Sequence, residues 1–468
     1  MIFSTPLFLT IFLPICLALY YLTPPRFRNF TLLCASLLFY FWGEQIFVLI
    51  MVASILIDYT HGLLVEKFKN QGKDTLAKCA VASSILFNLC LLGYFKYTNL
   101  FVETLQNFGM TGAMEFATIH LPIGISFYTF QTMSYTVDVY RGDAKAQRNI
   151  INFGAFVTLF PQLIAGPILK YKDLGAQLDA RTHKLSRFVS GIEIFIIGLS
   201  KKVLLANAMG WLWEQYQQLP TNQLSVLGAW LGVLAFTFQI YFDFSGYSDM
   251  AVGLGRMLGF EFSGNFNYPY ISKSITDFWR RWHISLSSWF REYLYIPLGG
   301  NRKSKGRVMF NLFLVWAATG FWHGASWNFL LWGLYFFVLL IIEREFLGKV
   351  LSKAPTFLGH CYTLFFILIS WTIFAIEDFA RLGEYLKVMF GFGAVPPIDE
   401  RFVYYFFSYL PLLVVASIAS TPFPKKQFHK LKESVQMPLG LFLMFLGLVV
   451  SLAYLVDSSY NPFLYARF

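Results

Sequence analysis

The sequence predicts an all-α polytopic membrane protein. Of its 468 residues, 56% are hydrophobic and 13% are charged, whereas soluble proteins usually carry about 25% charged residues. Apolar segments long enough to cross a bilayer recur along the chain. Basic residues collecting in short cytoplasmic loops would explain the formal net charge of +11. We find no motif for nucleic-acid binding, so we expect no nucleic-acid partner.

Candidate membrane helices occur throughout, and we expect roughly 11–13 of them in a single membrane-embedded domain over residues 1–468. The apolar segments lie near residues 6–22, 30–43, 44–64, 76–98, 150–170, 187–208, 223–245, 308–323, 325–343, 359–376, 402–419 and 437–456. The motifs that carry the functional argument lie between about 120 and 335.

Two stretches are not typical of simple spans. The first, "LPIGISFYTFQTMSYTVDVY" at 121–140, is interrupted by Pro122, Gly124 and Gln131. The second, at 265–300, is amphipathic and rich in tryptophan, tyrosine and arginine. Non-helical backbone at membrane depth is tolerated only where protein or a water-filled cavity covers it. Both stretches therefore predict re-entrant or interfacial elements that wall an internal cavity.

Basic clusters predict the orientation of the chain. They follow the first and third spans and precede the last one, and comprise Arg26, Arg28, Lys67, Lys69, Lys73, Lys78, Lys425, Lys426, Lys430 and Lys432. Short cytoplasmic loops carry an excess of such residues. Placing all three clusters in the cytoplasm puts the N-terminus outside.

His323 is the first candidate functional residue. It lies in "GFWHGASWNF" (320–329), inside an apolar run from 308 to 342. A run of about 35 residues is too long for one span and suits two, so His323 falls near a break between spans. Intramembrane ionisable residues are rare and usually face an interior or a cavity. The residues alone leave open a structural histidine bonded to a neighbouring helix.

The segment "SITDFWRRWHISLSSWFREYLYIPLGGNR" (274–302) is the second candidate. A step of about 100° per residue predicts one amphipathic helix with a polar and an apolar face. The polar face carries Thr276, Arg280, His283, Ser287 and Arg291, and the apolar face carries Phe278, Trp282, Leu286, Trp289 and Tyr293. An interfacial helix would explain the arginines. It explains His283 less well, because lipid binding needs no group that titrates near neutrality.

The alternative for this segment is a pocket wall. Arg280, Arg281 and Arg302 would hold a polyanionic donor while His283 faces its reactive end.

The third candidate is "QIYFDFSGYSDMAVGLG" (239–255), in which Gln239 and Asp243 lie one helical turn apart. We expect the carboxylates of Asp243 and Asp249 to pair within the bundle and to orient Arg280 or a histidine. The glycines suit close helix packing. No nucleophilic-serine elbow, phosphate loop or metal-spaced cluster occurs in the sequence, so serine catalysis and metal hydrolysis lack the necessary parts.

These motifs together resemble the membrane-bound O-acyltransferase family, and most closely its bacterial alginate O-acetylation branch. The resemblance rests on residues 121–143, 160–171, 239–270, 274–302 and 320–333. The family has a histidine in an apolar helix and a second polar residue some tens of residues upstream. His323 and His283 match these two positions.

The resemblance implies an O-acetyltransferase in which His323 is the general base at the waist of a central tunnel. His283 would orient the acceptor hydroxyl or stabilise the oxyanion. The remaining implied residues are Arg280, Arg281, Lys273 and Arg302 for the phosphates of acetyl-CoA, and Gln239, Asp243, Ser287 and Trp322 in support. No metal is implied.

The resemblance also implies a setting and partners. We expect a multi-pass protein of the bacterial inner membrane, embedded in lipid, with a periplasmic N-terminus. It would pass acetyl groups to an extracytoplasmic acetyltransferase or SGNH-type acceptor protein for acetylation of an exopolysaccharide such as alginate. Cellulose, peptidoglycan and teichoic acid remain alternative polymers. In other classes, a transporter would predict inverted repeats, which we do not find, and a scaffold would predict no thioester turnover.

Overall fold

The computed structural model describes residues 2–109, 118–457, 460, 461 and 464. Within these residues the chain forms helices connected by turns and contains no β-strand. In the part of the chain that the structure describes, six helical stretches are long and apolar enough to cross a membrane: Pro25–Asn70, Asp74–Asn107, Val226–Met257, Thr356–Ala375, Glu400–Ala419 and Glu433–Asp457. The predicted fold class, an all-α polytopic membrane protein, is confirmed. The larger predicted number of membrane helices stays a prediction.

The chain divides into two compact units. The first comprises Met1–Phe195 and Ser248–Ser263, and the second comprises Ile196–Tyr247 and Gly264–Phe468. Two helices, α10 and α12 below, contribute residues to both units. The single acyltransferase domain expected from the sequence stays a prediction.

The first unit is built around α3, which packs against α4 and α6. Its helices are α1 (Leu13–Leu22), α2 (Arg28–Glu44), α3 (Val48–Asn70), α4 (Asp74–Leu92), α5 (Thr98–Asn107), α6 (Ile125–Arg141), α7 (Ile150–Thr158), α8 (Phe160–Leu163), α9 (Tyr171–Asp179) and most of α10 (Leu185–Ser200). The ring of Tyr135 lies 4.4 Å from that of Phe153 and 4.6 Å from that of Tyr171. This aromatic cluster joins α6, α7 and α9.

Two sequence predictions in this unit are wrong. Gln131 does not interrupt the 121–140 stretch, because α6 runs unbroken through it and glutamine is a good helix former. Pro122 and Gly124 precede the helix. The predicted span at 150–170 is broken at Leu159. There the Phe160 amide donates to the Ser36 hydroxyl (3.1 Å), so a side chain replaces the lost helical hydrogen bond.

The second unit contains the paired helices α15 and α16, which lie against each other. Its helices are α11 (Asn207–Gln217), part of α12 (Val226–Met257), α13 (Ile275–Trp279), α14 (Ile284–Phe290), α15 (Lys305–His323), α16 (Trp327–Ile342), α17 (Gly348–Leu351), α18 (Thr356–Ala375), α19 (Phe379–Met389), α20 (Glu400–Ala419), α21 (Phe423–Phe428) and α22 (Glu433–Asp457). A β-carbon on Gly320 would lie 2.4 Å from the Phe329 carbonyl oxygen, and one on Gly333 would lie 2.3 Å from that of Trp316. Small residues therefore let the two backbones touch.

Helix α12 is longer than the sequence predicted. The apolar segment was expected to end near residue 245, but the helix continues to Met257 and includes Asp249 and Gly253. In the first unit, a β-carbon on Gly253 would lie 2.5 Å from the carbonyl oxygen of Gly191. The predicted use of these glycines in close helix packing is confirmed for Gly253, whereas Gly255 meets the Phe262 ring and Gly259 lies beyond the end of the helix.

Candidate active site

His323 is the last residue of α15 and is buried. Gly324 follows in an extended conformation, and α16 begins at Trp327. The predicted break at His323 is confirmed as a break between two helices, and that both helices cross the membrane stays a prediction. Because the glycines of α15 and α16 hold the two helices together, the imidazole lies at the tip of a tightly packed helical hairpin.

His283 lies between two short helices rather than within one. Helix α13 ends at Trp279 and α14 begins at Ile284, while His283 itself has a left-handed backbone (φ 43°, ψ 55°). The predicted single amphipathic helix over this segment is therefore wrong. Consequently Arg280 and His283 do not share a face: the arginine is exposed and the histidine is fully buried.

Backbone pairing stabilises this break. The Asn267 amide donates to the Arg281 carbonyl (2.9 Å), and the Ile284 amide donates to the Asn265 carbonyl (3.0 Å). A left-handed conformation costs a residue with a side chain about 1–2 kcal/mol. Such strain persists where the surroundings over-determine it, and it concentrates at functional sites.

The two histidines meet inside the second unit. Their ring centroids are 6.4 Å apart, with the planes inclined at 68°. Trp322 lies beside both, 5.7 Å from the ring of His283 and 5.1 Å from that of His323. The separation leaves each imidazole within reach of one small group bound between them.

Aromatic rings surround the pair. Phe244 packs edge-on against His283 at 4.7 Å, and Trp332 and Phe374 pack against His323 at 4.9 and 5.7 Å. This environment excludes water and strengthens electrostatic interactions inside it. His283 lies outside the six candidate spans. Burial lowers its pKa well below the ordinary value, and His323 adds to that shift.

The side chain of Asn265 lies against Nδ1 of His283. The side-chain oxygen of Asn265 lies 3.2 Å from Nδ1 of His283. The same oxygen accepts hydrogen bonds from the Ser285 amide (3.1 Å) and the Ser285 hydroxyl (2.9 Å). All three residues are buried.

The basic residues predicted to bind the donor are distributed unequally. Arg280 lines a cavity of about 190 Å³, whereas Arg281 pairs with Asp277 (3.0 Å) and donates to the Asn267 carbonyl (3.2 Å). Lys273 and Arg302 are exposed, and the Lys273 ammonium lies 3.5 Å from the Thr356 hydroxyl. The structure therefore assigns Arg280 alone of these four to the cavity wall.

The cavity approaches both histidines. Its lining includes Ser287, whose amide donates to the His283 carbonyl, and Thr319, one helical turn before His323 in α15. The remaining lining residues are Thr276, Trp279, Leu286, Phe290, Val315, Trp316 and Leu340. One guanidinium and three hydroxyls thus line a mainly apolar space, and its wall includes one residue a helical turn along the chain from each histidine.

The expectation that Asp243 orients Arg280 or a histidine is wrong. Its carboxylate pairs with Lys202 at 2.7 Å, and both side chains are buried. Lys202 also donates to the Asn207 side chain at 2.7 Å. Gln239, one turn earlier in α12, is buried beside Gly210. Lys202, Asn207 and Asp243 thus form a separate polar cluster in the second unit.

Three residues of the region were missed by the sequence reasoning. Asn265 had a signal, since it is a polar residue within a long motif of mostly aromatic and apolar character. Lys202 also had one, because it interrupts the apolar segment 187–208. Glu343 had none. Its carboxylate accepts from the amides of Ile275 (2.5 Å) and Thr276 (2.9 Å) and so anchors the start of α13.

The fold and site define a polytopic membrane protein with two buried, facing imidazoles. The family model of the membrane-bound O-acyltransferase family matches residues 83–383, and the chain belongs to this family. It is an O-acyltransferase.

Three relatives show how far the similarity extends. Two are proteins named "Probable alginate O-acetylase AlgI". The one from Azotobacter vinelandii is 44% identical over 84% of this chain and 79% of its own length. The one from Pseudomonas putida is 40% identical over the full length of both chains. The peptidoglycan O-acetyltransferase of Helicobacter pylori is 35% identical over 84% of this chain and 81% of its own length.

Proposed function

We propose that this protein moves an acetyl group from a cytoplasmic thioester, acetyl-CoA, across the membrane to an extracytoplasmic acceptor, for O-acetylation of an exopolysaccharide such as alginate. The pairing of His283 and His323 at 6.4 Å within an aromatic enclosure carries the proposal. The substrate class is supported by relatives named for alginate O-acetylation, one of which aligns along its whole length.

The chemistry assigns a general base to this site. An alcohol is a poor nucleophile near neutrality, and a neutral imidazole within hydrogen-bond reach is suited to remove its proton. His323 takes the hydroxyl proton as the oxygen attacks the thioester carbonyl carbon. A carbon–oxygen bond forms, the carbon–sulfur bond breaks, and the proton passes from the imidazolium to the leaving thiolate. The aromatic enclosure limits hydrolysis of the thioester.

The cavity beside Arg280 supports donor binding. Its volume of about 190 Å³ is small against the 300–1,000 Å³ of typical ligand pockets. It suits the acyl-bearing end of coenzyme A better than the whole molecule. Arg280 at its edge offers a charged, forked donor to a phosphate, while the rest of the donor would lie in the cytoplasm.

The proposed direction of transfer requires a central tunnel and an outer partner. We place the chain in the bacterial inner membrane with its N-terminus in the periplasm, as the basic clusters indicate. An acetyltransferase or SGNH-type protein would collect the acetyl group at the outer mouth. No metal takes part in the proposed reaction.

The decisive experiment follows acetyl transfer by protein reconstituted in liposomes. Labelled acetyl-CoA is supplied on the side of the membrane that corresponds to the cytoplasm, and the extracytoplasmic partner on the opposite side. Wild-type protein should consume the thioester and transfer label to a hydroxyl acceptor. His323→Gln, inserted in the membrane to the same extent, should not. Equal turnover by His323→Gln would remove its role as base. Uptake of label without breakage of the thioester would instead indicate a transporter.

Donor recognition is tested by two adjacent arginines. Arg280→Ala should raise the KM for acetyl-CoA about tenfold with little change in kcat, because a hydrogen bond to a charged group contributes about 1.5–3 kcal/mol. Arg281→Ala is the matched control, since Arg281 is engaged by Asp277, and its KM should change less. Equal KM values in Arg280→Ala and wild type would contradict the placement of the phosphates.

Peptidoglycan is the second candidate polymer, because the Helicobacter pylori relative aligns over most of both chains. The two are separated by acetyl analysis of a deletion strain. Loss of acetyl from the exopolysaccharide alone supports the proposal, and loss from peptidoglycan alone favours the second candidate.

A further inference from the structure

The hydrogen-bond donors around Asn265 determine the orientation of its side-chain amide. The backbone amide of Ser285 can only donate, and it lies 3.1 Å from the atom assigned as Oδ1. A reversed side chain would place an NH₂ group against that N–H. The carbonyl oxygen of Asn265 must therefore face Ser285, and the same oxygen faces Nδ1 of His283 at 3.2 Å.

This geometry selects one tautomer of His283. A carbonyl oxygen only accepts, so Nδ1 of His283 must carry a proton that it donates to Asn265. The Ser285 hydroxyl donates to Asn265 at 2.9 Å, and its oxygen lies 3.4 Å from the same nitrogen. Because the Ser285 hydroxyl directs its proton at Asn265, its oxygen can only accept a hydrogen bond from Nδ1 of His283. Asn265 and Ser285 thus both require a proton on Nδ1, and in the neutral ring Nε2 carries the lone pair.

We propose that Asn265 is a positioning residue that holds His283 in the Nδ1-protonated tautomer and so makes Nε2 a hydrogen-bond acceptor for the incoming hydroxyl. This inference rests on the proposed acetyl transfer for its role, but the tautomer does not depend on it. A partner on the far nitrogen of a functional histidine commonly sets both its tautomer and its ring orientation.

The inference narrows the role of His283. A neutral ring with its only proton on Nδ1 cannot donate from Nε2, so it does not stabilise an oxyanion there. The acceptor hydroxyl has a single proton, and Nε2 accepts its hydrogen bond as the hydroxyl enters, which brings the oxygen toward the thioester carbon. The O–H then turns from Nε2 of His283 to His323, and His323 takes that proton in the transfer step. The left-handed backbone of His283 is consistent with this precise placement, since it separates the imidazole from the exposed Arg280.

The surroundings allow the role to be tested through pH. The ring of His283 packs against Phe244, Trp322 and His323, and among these His323 is the titratable group. A carboxylate introduced at residue 265 would keep an acceptor for Nδ1–H and would favour the imidazolium. Asn265→Asp should therefore raise the pKa of His283 and move the acid limb of the kcat/KM profile upward by about one pH unit or more.

The tautomer can be read directly by ¹⁵N NMR of histidine-labelled, full-length protein in lipid nanodiscs. The signals lost in His283→Gln identify the ring. Wild-type protein should show a protonated Nδ1 and an unprotonated Nε2, and Asn265→Asp should keep this pattern at a pH above its raised pKa, since both nitrogens are protonated in the imidazolium. Asn265→Leu should lose it and lower kcat about tenfold or more, with little change in the KM for acetyl-CoA.

The outcomes separate the inference from the proposed function. A protonated Nε2 in wild-type His283, measured without any substitution at Asn265, would overturn the inference. So would an Asn265→Leu protein that keeps the wild-type tautomer, kcat and pH profile. The expected tautomer in a protein that transfers no acetyl group would leave the assignment of Asn265 standing and would refute the proposed function alone.

Discussion

Each compact unit contains a histidine cluster, and the two histidines use their ring nitrogens in opposite ways: Nδ1 accepts a hydrogen bond in one cluster and donates one in the other. In the first unit, Nδ1 of His183 lies 3.2 Å from an Arg28 nitrogen, and Nε2 lies 2.8 Å from the Tyr20 hydroxyl. A guanidinium only donates, so Nδ1 accepts and Nε2–H donates to Tyr20. In the second unit, Nδ1 of His283 donates to Asn265. The two rings therefore carry opposite tautomers.

The charge of the partner decides what each histidine can do. Burial lowers the pKa of His183, and Arg28 and Arg181 lower it further. Protonation of this ring would place an N–H against the guanidinium and break the contact. Asn265 is neutral and accepts from Nδ1–H in both protonation states of His283. His283 can therefore gain or lose a proton on Nε2 without losing its hydrogen bond to Asn265. His183 would lose its contact with Arg28 on protonation, so we assign it a structural role.

The largest expected effect tests this division of roles. His323→Gln should lower acetyl transfer about 10²–10⁴-fold, the range that a general acid–base group contributes. His283→Gln should lower it about 10²-fold, because a reacting oxygen that is no longer oriented costs about that much. His183→Gln should stay within about threefold of wild type, because no role in the reaction is assigned to it. The measurement is acetyl-CoA-dependent transfer by equal amounts of membrane-inserted protein.

The three variants together serve as their own control. All remove an imidazole and retain a polar side chain, so a general effect of the substitution would lower all three activities alike. That result, or full activity in either second-unit variant, would break the contrast between the clusters.

A smaller effect, on stability, is expected from the second polar cluster of the second unit, the buried ion pair of Lys202 and Asp243. Breaking a buried ion pair leaves an uncompensated charge and costs about 3–5 kcal/mol, whereas replacing both partners by apolar residues is often neutral. Lys202→Met should therefore lower the unfolding temperature markedly. The double variant Lys202→Met/Asp243→Leu should recover most of the loss.

Thermal unfolding of the three proteins in the same detergent measures this coupling. Recovered stability together with retained acetyl transfer would show that the pair serves the fold. If the stable double variant were inactive, Lys202 and Asp243 would take part in the reaction. Acetyl transfer would then depend on this ion pair as well as on the neutral partner of His283.

The sequence predicted the location of His323 better than the setting of His283. An apolar run of two spans needs a break near its middle, and the helical hairpin has one at His323. Helical periodicity, by contrast, carries no signal for a single left-handed residue, so α13 and α14 were joined into one amphipathic helix. The partners of Asp243 and His283 were missed for another reason. Lys202 and Asn265 meet them through tertiary packing, which one sequence without its fold does not reveal.

The smallest expected effect lies at the His183 cluster and concerns pH rather than activity. In the folded protein the pKa of His183 is lowered from its ordinary value of 6.5. The unfolded chain therefore binds more protons over the interval below that value. The stability gained by keeping His183 neutral is complete above a pH of about 6.5 and is lost as the pH falls toward the folded pKa.

Arg28→Met should make this loss smaller. Removing the guanidinium takes away one cause of the lowered pKa, so the folded pKa moves back toward its ordinary value, while burial keeps it below. The unfolding temperature of Arg28→Met should fall less steeply than that of wild type between about pH 6.5 and 5. Arg26→Met is the matched control, because that guanidinium lies over the Phe27 ring at 4.8 Å, and it should keep the wild-type slope. Parallel slopes in all three proteins would show that Arg28 does not set the protonation of His183, and the opposition between the two clusters would then rest on His283 alone.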